Sequence, residues 1–135
     1  MSSCYPRRTV LKGAALGAIA LPAIAACSDG SGILGRTPEP GEVLAAIKDL
    51  PDGQPVALTT AKGVPVILAR EGDEVMAYSA VCPHGGCAVR VEVANLLCPC
   101  HNSRFEFDGT FISGPANSDL PTTPIVLEDG NVVTA

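Results

Sequence analysis

Aromatic and basic side chains are scarce in this chain of 135 residues. Tryptophan is absent, and aromatic residues make up 4% of the sequence. The chain has nine lysines and arginines in total and fourteen aspartates and glutamates. Proteins that bind nucleic acid need clustered basic side chains, and single-strand binders add aromatic rings on which bases stack. We therefore expect no nucleic-acid partner, and we expect most of the acidic side chains to form a solvated surface.

Long hydrophobic runs are also lacking. The longest apolar run, residues 13–26, has 14 residues and includes Pro22, whereas a transmembrane helix needs about 20. It follows the adjacent arginines Arg7 and Arg8, and the whole pattern resembles a twin-arginine export signal. We interpret residues 1–27 as this signal and not as part of the fold. Retention of the run as a membrane anchor is the alternative.

Cys27 ends the sequence Ile-Ala-Ala-Cys, which resembles a bacterial lipobox. We predict that Cys27 carries a lipid, which would hold the exported protein on the outer face of the cytoplasmic membrane. Cleavage at a nearby site by an ordinary signal peptidase, with release to the periplasm, stays open. Residues 28–41, which contain several glycines and prolines, are predicted to be a flexible tether. Residues 42–135 are then left as one small domain.

Cysteine and histidine, by contrast, are concentrated in two short boxes. They hold both histidines and four of the six cysteines: box 1 is Cys82-Pro83-His84-Gly85-Gly86-Cys87, and box 2 is Cys98-Pro99-Cys100-His101-Asn102-Ser103. Proline and paired glycine favour loops, whose backbone N–H groups are free to point at sulfur. Two thiolates and two imidazoles could hold a mixed-ligand iron–sulfur cluster, with two cysteines left over to join the boxes. A structural zinc site with two cysteines and two histidines is the alternative.

The boxes resemble the C-x-H-x-x-C and C-P-C-H-x-S motifs of Rieske [2Fe–2S] proteins, of the disulfide-containing kind found in cytochrome bc1 complexes. Residues 114–116, Gly-Pro-Ala, are similar to the proline loop that covers the cluster in that family, and the resemblance spans residues 42–135. It implies one [2Fe–2S] cluster and a role for eight residues. Cys82 and Cys98 would bind one iron, His84 and His101 the other, Cys87 and Cys100 would form a disulfide, and Ser103 and Pro115 would lie beside the cluster.

Two positions depart from the high-potential members of that family. Phe105 stands where those relatives usually have a tyrosine, whose hydroxyl donates a hydrogen bond to a ligand thiolate. Its absence predicts a potential below the top of the Rieske range, which is roughly −150 to +300 mV. Gly85 stands where bc1-type boxes usually carry a leucine that docks on the quinol-oxidising subunit, and a glycine offers no such apolar contact.

Short β-branched runs alternate with turn signals through the rest of the domain. The candidate strands are residues 56–59, 64–69, 75–79, 88–93, 105–107, 125–128 and 132–134. Residues 44–50 could form a helical turn, although the Rieske resemblance makes part of this segment an edge strand. We expect an all-β fold, a small antiparallel β sandwich with the two boxes inserted as a cluster-binding subdomain.

These features predict an exported, membrane-tethered carrier of single electrons with no substrate pocket of its own. Its partners would be redox proteins, such as a c-type cytochrome, a cytochrome b or a subunit of a molybdenum enzyme. The sequence leaves three alternatives open. They are the Rieske subunit of a cytochrome bc1 complex that oxidises quinol, the small subunit of an arsenite-oxidase-like molybdenum enzyme, and a structural zinc module.

Overall fold

The computed structural model describes residues 36–135. The predicted signal peptide, Cys27 and residues 28–35 of the predicted tether lie outside this part of the chain. One 3-10 turn, Ile47–Asp49, and ten strands make up the regular structure of the described residues. In chain order the strands are β1 (Val43–Ala46), β2 (Val56–Thr59), β3 (Pro65–Glu71), β4 (Glu74–Ser79), β5 (Arg90–Val91), β6 (Leu96–Leu97), β7 (Arg104–Phe105), β8 (Phe111–Ser113), β9 (Ile125–Glu128) and β10 (Asn131–Thr134).

The strands form three antiparallel sheets, with the orders β1-β10-β9, β2-β3-β4 and β5-β6-β7-β8. The predicted all-β fold with antiparallel sheets is therefore confirmed. Within residues 36–135, no helix is long and apolar enough to cross a membrane.

Strand β3 is the middle strand of its sheet, and both of its faces are covered by other parts of the protein. Val66 and Leu68 pack into the core that the strand shares with β10. Ile67 and Ala69 point to the opposite face, as successive strand residues do, and pack into the core shared with the third sheet. A strand covered on both faces reads as a continuous apolar run. This explains the uninterrupted apolar sequence at residues 64–69.

The third sheet carries both boxes at one end. Box 1 connects β4 to β5, box 2 connects β6 to β7, and residues 114–116 follow β8. The strand register places the residues next to these loops in one row across the sheet: Arg90, Leu97, Arg104 and Ser113. All three loops therefore leave the sheet at the same end, which we call the tip.

The strands that the sequence prediction missed, β6 and β8, lie next to loops of the tip: β6 precedes box 2, and β8 precedes residues 114–116. Strands β6 and β8 have two and three residues, too few for a periodic pattern, and the predicted strand at residues 88–93 shortens to Arg90–Val91. Residues 44–50 are predicted from the sequence to form either a helical turn or part of an edge strand. The structure contains both, since β1 passes directly into the 3-10 turn. These differences add two short strands and change the bounds of others, but the fold remains all-β with antiparallel sheets.

Candidate metal centre

The two boxes have the same backbone structure. The Cys82 N–H donates to the Cys87 carbonyl at 2.9 Å, and the Cys98 N–H donates to the Ser103 carbonyl at 2.8 Å. In each box a hydrogen bond thus closes the loop between its first and its last residue. Cys82 and Cys98 therefore occupy equivalent positions.

A second pair of equivalent positions explains how each box turns. The Gly86 N–H donates to the Cys82 carbonyl at 2.9 Å, and the Asn102 N–H donates to the Cys98 carbonyl at 3.0 Å. Gly86 has φ 77° and Asn102 has φ 61°, in the left-handed region that glycine and asparagine adopt most easily. The sequence contained this signal, because aligning the first cysteines of the boxes places Gly86 opposite Asn102.

The first cysteine of each box points into the protein. Cys82 is 0% exposed and Cys98 is 1% exposed, and neither forms a disulfide. Burial raises the pKa of the Cys82 thiol, and the neighbouring Cys98 thiol raises it further, whereas the backbone N–H groups of His84 and Gly85 lower it. A metal cation displaces such thiol protons, and the inward N–H groups then stabilise the thiolate.

The two histidines lie on the surface of the tip. Both side chains are exposed, and the centroids of the His84 and His101 rings are 4.7 Å apart with an angle of 87° between the ring planes. The structure therefore brings the two boxes together as a buried thiol pair and an exposed imidazole pair. Within residues 36–135, no three His, Cys, Asp or Glu side chains converge on the position of a single metal ion.

A disulfide joins the boxes beside the histidines. It links Cys87 to Cys100, whose Cα atoms are 6.4 Å apart, so the disulfide implied by the family resemblance is confirmed. It closes a loop with a sequence separation of 13, for which the chain-entropy model gives about 3 kcal/mol of stabilisation.

The third loop packs on box 2 through Ser103 and Gly114. The fully buried Ser103 Oγ accepts a hydrogen bond of 3.0 Å from the Ala116 N–H, and its own proton remains available to an acceptor in the tip. A Cβ atom at Gly114, which has φ +106°, would lie 2.5 Å from the Ser103 Cα. Glycine is therefore required at this contact. Pro115, which lies between Gly114 and Ala116, is exposed.

Phe105 is fully buried in the core that contains both free thiols. Its ring packs edge-on against Phe111, with centroids 6.0 Å apart. The residue at this position thus contributes an apolar wall and no hydrogen-bond donor.

The donor chemistry fits an iron–sulfur cluster. Thiolates and imidazoles are soft and borderline donors of the kind that iron–sulfur centres use. The buried pair supplies negative charge where water is excluded, and the exposed pair supplies neutral donors at the surface. An antiparallel β domain with two equivalent Cys–His loops at one end defines a class of electron-transfer proteins with a cluster held by cysteine and histidine.

The chain belongs to the Rieske [2Fe–2S] family, since the Rieske [2Fe–2S] domain matches residues 42–124. This membership implies one [2Fe–2S] cluster and one-electron transfer. It also answers the zinc alternative, because the family that uses these boxes is an iron–sulfur family.

Several known proteins are similar to this chain. The cytochrome b6-f complex iron-sulfur subunit of Chlorobaculum tepidum is 39% identical over 72 residues, which are 52% of this chain and 40% of that subunit. The structure of the plasma membrane Rieske protein PetC3 from Synechocystis PCC 6803 matches with a TM-score of 0.54 and 26% identity, over 73% of this chain and 99% of that one. The ferredoxin of carbazole 1,9a-dioxygenase from Nocardioides aromaticivorans matches with a TM-score of 0.51 and 26% identity, over 71% and 96%.

Proposed function

We propose that Cys82 and Cys98 bind one iron of the cluster and that His84 and His101 bind the other. The observation that carries this proposal is the separation of the four side chains into a buried thiol pair and an exposed imidazole pair. Once bound, the cluster supplies a reversible one-electron couple whose potential is raised by the two neutral imidazole ligands.

Each pair of side chains has a separate task in this proposal. The thiolates, together with the backbone N–H groups of box 1, hold negative charge in a site from which water is excluded. The exposed imidazoles of His84 and His101 form the edge through which an electron enters or leaves.

Ser103 and Pro115 are proposed to enclose the cluster on the side that faces the loop at residues 114–116. The Ser103 O–H would donate a hydrogen bond to a sulfide of the cluster, while the Ser103 Oγ keeps the hydrogen bond that it accepts from the Ala116 N–H. Pro115 would cover the site from the surface, because the loop around it is held in place by the contacts of Gly114 with box 2.

We further propose that the protein is exported and tethered to the outer face of the cytoplasmic membrane through Cys27. The support is the sequence of residues 1–41 and the likeness to subunits of membrane complexes. The chain spans about 40% of the length of the cytochrome b6-f subunit that it matches, so membership in such a complex is also a proposal. Replacement of Cys27 by alanine should move the protein from the membrane fraction to the soluble periplasmic fraction. An unchanged distribution contradicts the lipid anchor.

The partner would be another redox protein, and a specific observation bears on the cytochrome bc1 alternative. Gly85 is exposed and has no side chain, so box 1 offers no apolar contact at the position where bc1-type boxes usually carry a docking leucine. A free-standing carrier is therefore favoured over a quinol-oxidising subunit. A neighbouring gene for a cytochrome b would instead support the bc1 assignment, and one for a molybdopterin enzyme would support the arsenite-oxidase-like assignment.

The one-electron function is tested by a redox titration of the purified full chain. We expect two irons and two sulfides per chain, and a couple of one electron within the Rieske range of roughly −150 to +300 mV. A two-electron thiol–disulfide couple, or no couple at all, contradicts the proposal.

A further inference from the structure

Charge is distributed unevenly over the described residues. Residues 36–135 carry six basic and thirteen acidic side chains, a formal net charge of −7. The segments that build the tip and its sheet, residues 75–91, 93–105 and 109–118, contain no aspartate or glutamate. Their only basic residues are Arg90 and Arg104. The part of the third sheet next to the boxes therefore carries two basic side chains and no acidic one, while the acidic side chains lie farther from the boxes.

The two arginines lie on the outer face of the third sheet. Arg90 pairs with Leu97, and Leu97 pairs with Arg104 on its other side. The interstrand spacing of about 4.8 Å places the two arginine Cα atoms roughly 10 Å apart. Leu97 immediately precedes Cys98, and Arg104 immediately follows Ser103. The row formed by these three residues thus borders box 2 directly.

Neither arginine is neutralised by a neighbouring carboxylate. The only ion pair within 4.0 Å among the described residues joins Lys62 to Glu39, far along the chain from the boxes. Arg104 Nη1 donates to the neutral Asn95 Oδ1 at 3.2 Å, and both arginine side chains are exposed.

Arg70 provides a contrast on the opposite side of β3. Its guanidinium donates to the backbone carbonyls of Ile47, Leu50 and Gly72, at distances of 2.8–3.3 Å. Arg70 thus holds these backbone segments together, and its guanidinium donors are used within the protein. Arg90 and Arg104 have no comparable structural task.

Acidic side chains also lie on or against the third sheet, on the side away from the boxes. The Asp119 carboxylate accepts a hydrogen bond of 2.7 Å from the Phe111 N–H of β8. Glu92 follows Arg90 by two residues, and Glu106 follows Arg104 by two residues, which is about 7 Å along a strand. Both directions lead away from the tip, and β2, which lies alongside β5, contributes no charged side chain. The arginine row therefore stands between the boxes and these glutamates.

We propose that Arg90, Leu97 and Arg104 form a docking patch for an acidic redox protein. The proposal rests on the proposed function and names the kind of partner that reaches the cluster. Two guanidinium groups beside the centre, with no carboxylate oxygen of the described residues within 4.0 Å, steer a negatively charged surface toward the tip. The half-buried Leu97 between the arginine stems supplies an apolar contact at the middle of the patch. The patch is small, which suits the weak, short-lived complexes of electron carriers.

The test is an NMR titration of the ¹⁵N-labelled, cluster-loaded full chain with a redox-inactive partner. The probes are one zinc-substituted c-type cytochrome in its native basic form and in its succinylated acidic form. An ionic strength of about 0.1 M limits electrostatic reach to about 10 Å, so that the patch acts without the distant acidic surface. We expect the acidic probe to shift the signals of Arg90, Leu97 and Arg104.

Two double variants separate the local patch from the net charge. Arg90→Gln with Arg104→Gln should weaken binding of the acidic probe about fivefold. Lys48→Gln with Lys62→Gln removes the same charge outside the tip and should weaken it less than about twofold. Equal weakening by both double variants overturns the proposal.

Other outcomes identify a different partner or a different failure. Tighter binding of the native basic probe at the tip overturns the proposal in favour of a basic partner. Arginine-dependent binding to vesicles of anionic lipid, without binding of the acidic probe, overturns it in favour of a membrane surface. A chain that shows the expected one-electron couple but no arginine-dependent binding contradicts this inference alone. A chain without the couple contradicts the proposed function.

Discussion

Side chains that border the thiol pair differ in what they can donate to it. Ser103 is buried with a hydroxyl whose proton is free, whereas Phe105 is buried in the same core without a hydroxyl. A hydrogen bond to a ligand sulfur or a sulfide stabilises the reduced cluster, which carries one more negative charge. The Ser103 hydroxyl is thus present as a hydrogen-bond donor, whereas Phe105 supplies none. We therefore expect a reduction potential below the top of the family range.

Phe105→Tyr tests this account at the scale of one residue. The added hydroxyl should donate to a nearby ligand sulfur and raise the reduction potential. A hydrogen bond to a charged group contributes about 1.5–3 kcal/mol, and the part that differs between the two redox states corresponds to an increase on the order of tens of millivolts. Protein-film voltammetry measures the change.

Phe111→Tyr is the matched control for that substitution. Phe111 packs edge-on against Phe105 in the same sheet, so this variant adds the same hydroxyl one strand farther from box 2. Its potential should stay close to that of the wild type. Equal increases in both variants would show that polarity in the core, and not a hydrogen bond to a ligand, sets the potential.

At the scale of elements, the tip depends on how closely the third loop approaches box 2. Gly114→Ala should disrupt this contact, because the new Cβ would overlap the Ser103 Cα and φ +106° is strained for alanine. Overpacking and the left-handed backbone each destabilise by about 1–3 kcal/mol. We expect Tm to fall by about 10 °C or more and the cluster to be lost more readily, as measured by thermal unfolding and iron content.

Gly85→Ala makes the same substitution in box 1 without these constraints. No atom lies within 4 Å of the position of the added Cβ, and the φ of Gly85 is not positive. Tm and iron content should remain close to the wild-type values. Similar losses in both variants would mean that the tip tolerates no change in its loops, and the specific role of Gly114 would be wrong.

The turn between β7 and β8 gives a prediction about pH. The ring of Tyr78 packs beneath Gly109 in this turn, and the Asp108 carboxylate accepts a hydrogen bond of 2.9 Å from the Thr110 N–H. Burial raises the pKa of Tyr78 above its usual 10.0, and the charge of Asp108 raises it further. The unfolded chain ionises this tyrosine first, so stability is complete below pH 10 and falls as pH rises above it.

Asp108→Asn should lower the pKa of Tyr78 while leaving it above 10.0, because burial, the larger cause, remains. A titration that follows the ¹³Cζ NMR signal of Tyr78 measures the difference. An unchanged pKa in the variant would show that the carboxylate has no effect on the ring.

The elements differ in how far the sequence predicts them. The apolar run of β3 and the glycine turns predict strands close to those observed, because burial on both faces and positive φ leave clear signatures. Strands β6 and β8 could not be predicted, since their pairing is set by neighbours distant in sequence. The contact of Gly114 with Ser103 could not be predicted either, because it joins two loops that only the folded sheet brings together.

For the whole molecule, the resemblance of the two boxes to the Rieske motifs is enough to predict the family, and the boxes contain all the cysteine and histidine of residues 42–135. The net acidic charge is equally plain from the sequence. Its arrangement is not, because the positive row beside the boxes appears only when the register aligns Arg90 with Arg104 across Leu97. A sequence with a general excess of acidic residues therefore folds into a molecule with two arginines side by side next to the boxes.

The ligand set is tested most directly by electron paramagnetic resonance of the dithionite-reduced full chain labelled with ¹⁵N-histidine. We predict a rhombic Rieske signal with hyperfine couplings to two histidine nitrogens. The native signal should be lost when either His84 or His101 is replaced by alanine. A colourless, silent protein with stoichiometric zinc, or a cluster signal that keeps both couplings in either variant, would contradict the assignment of these histidines to the cluster.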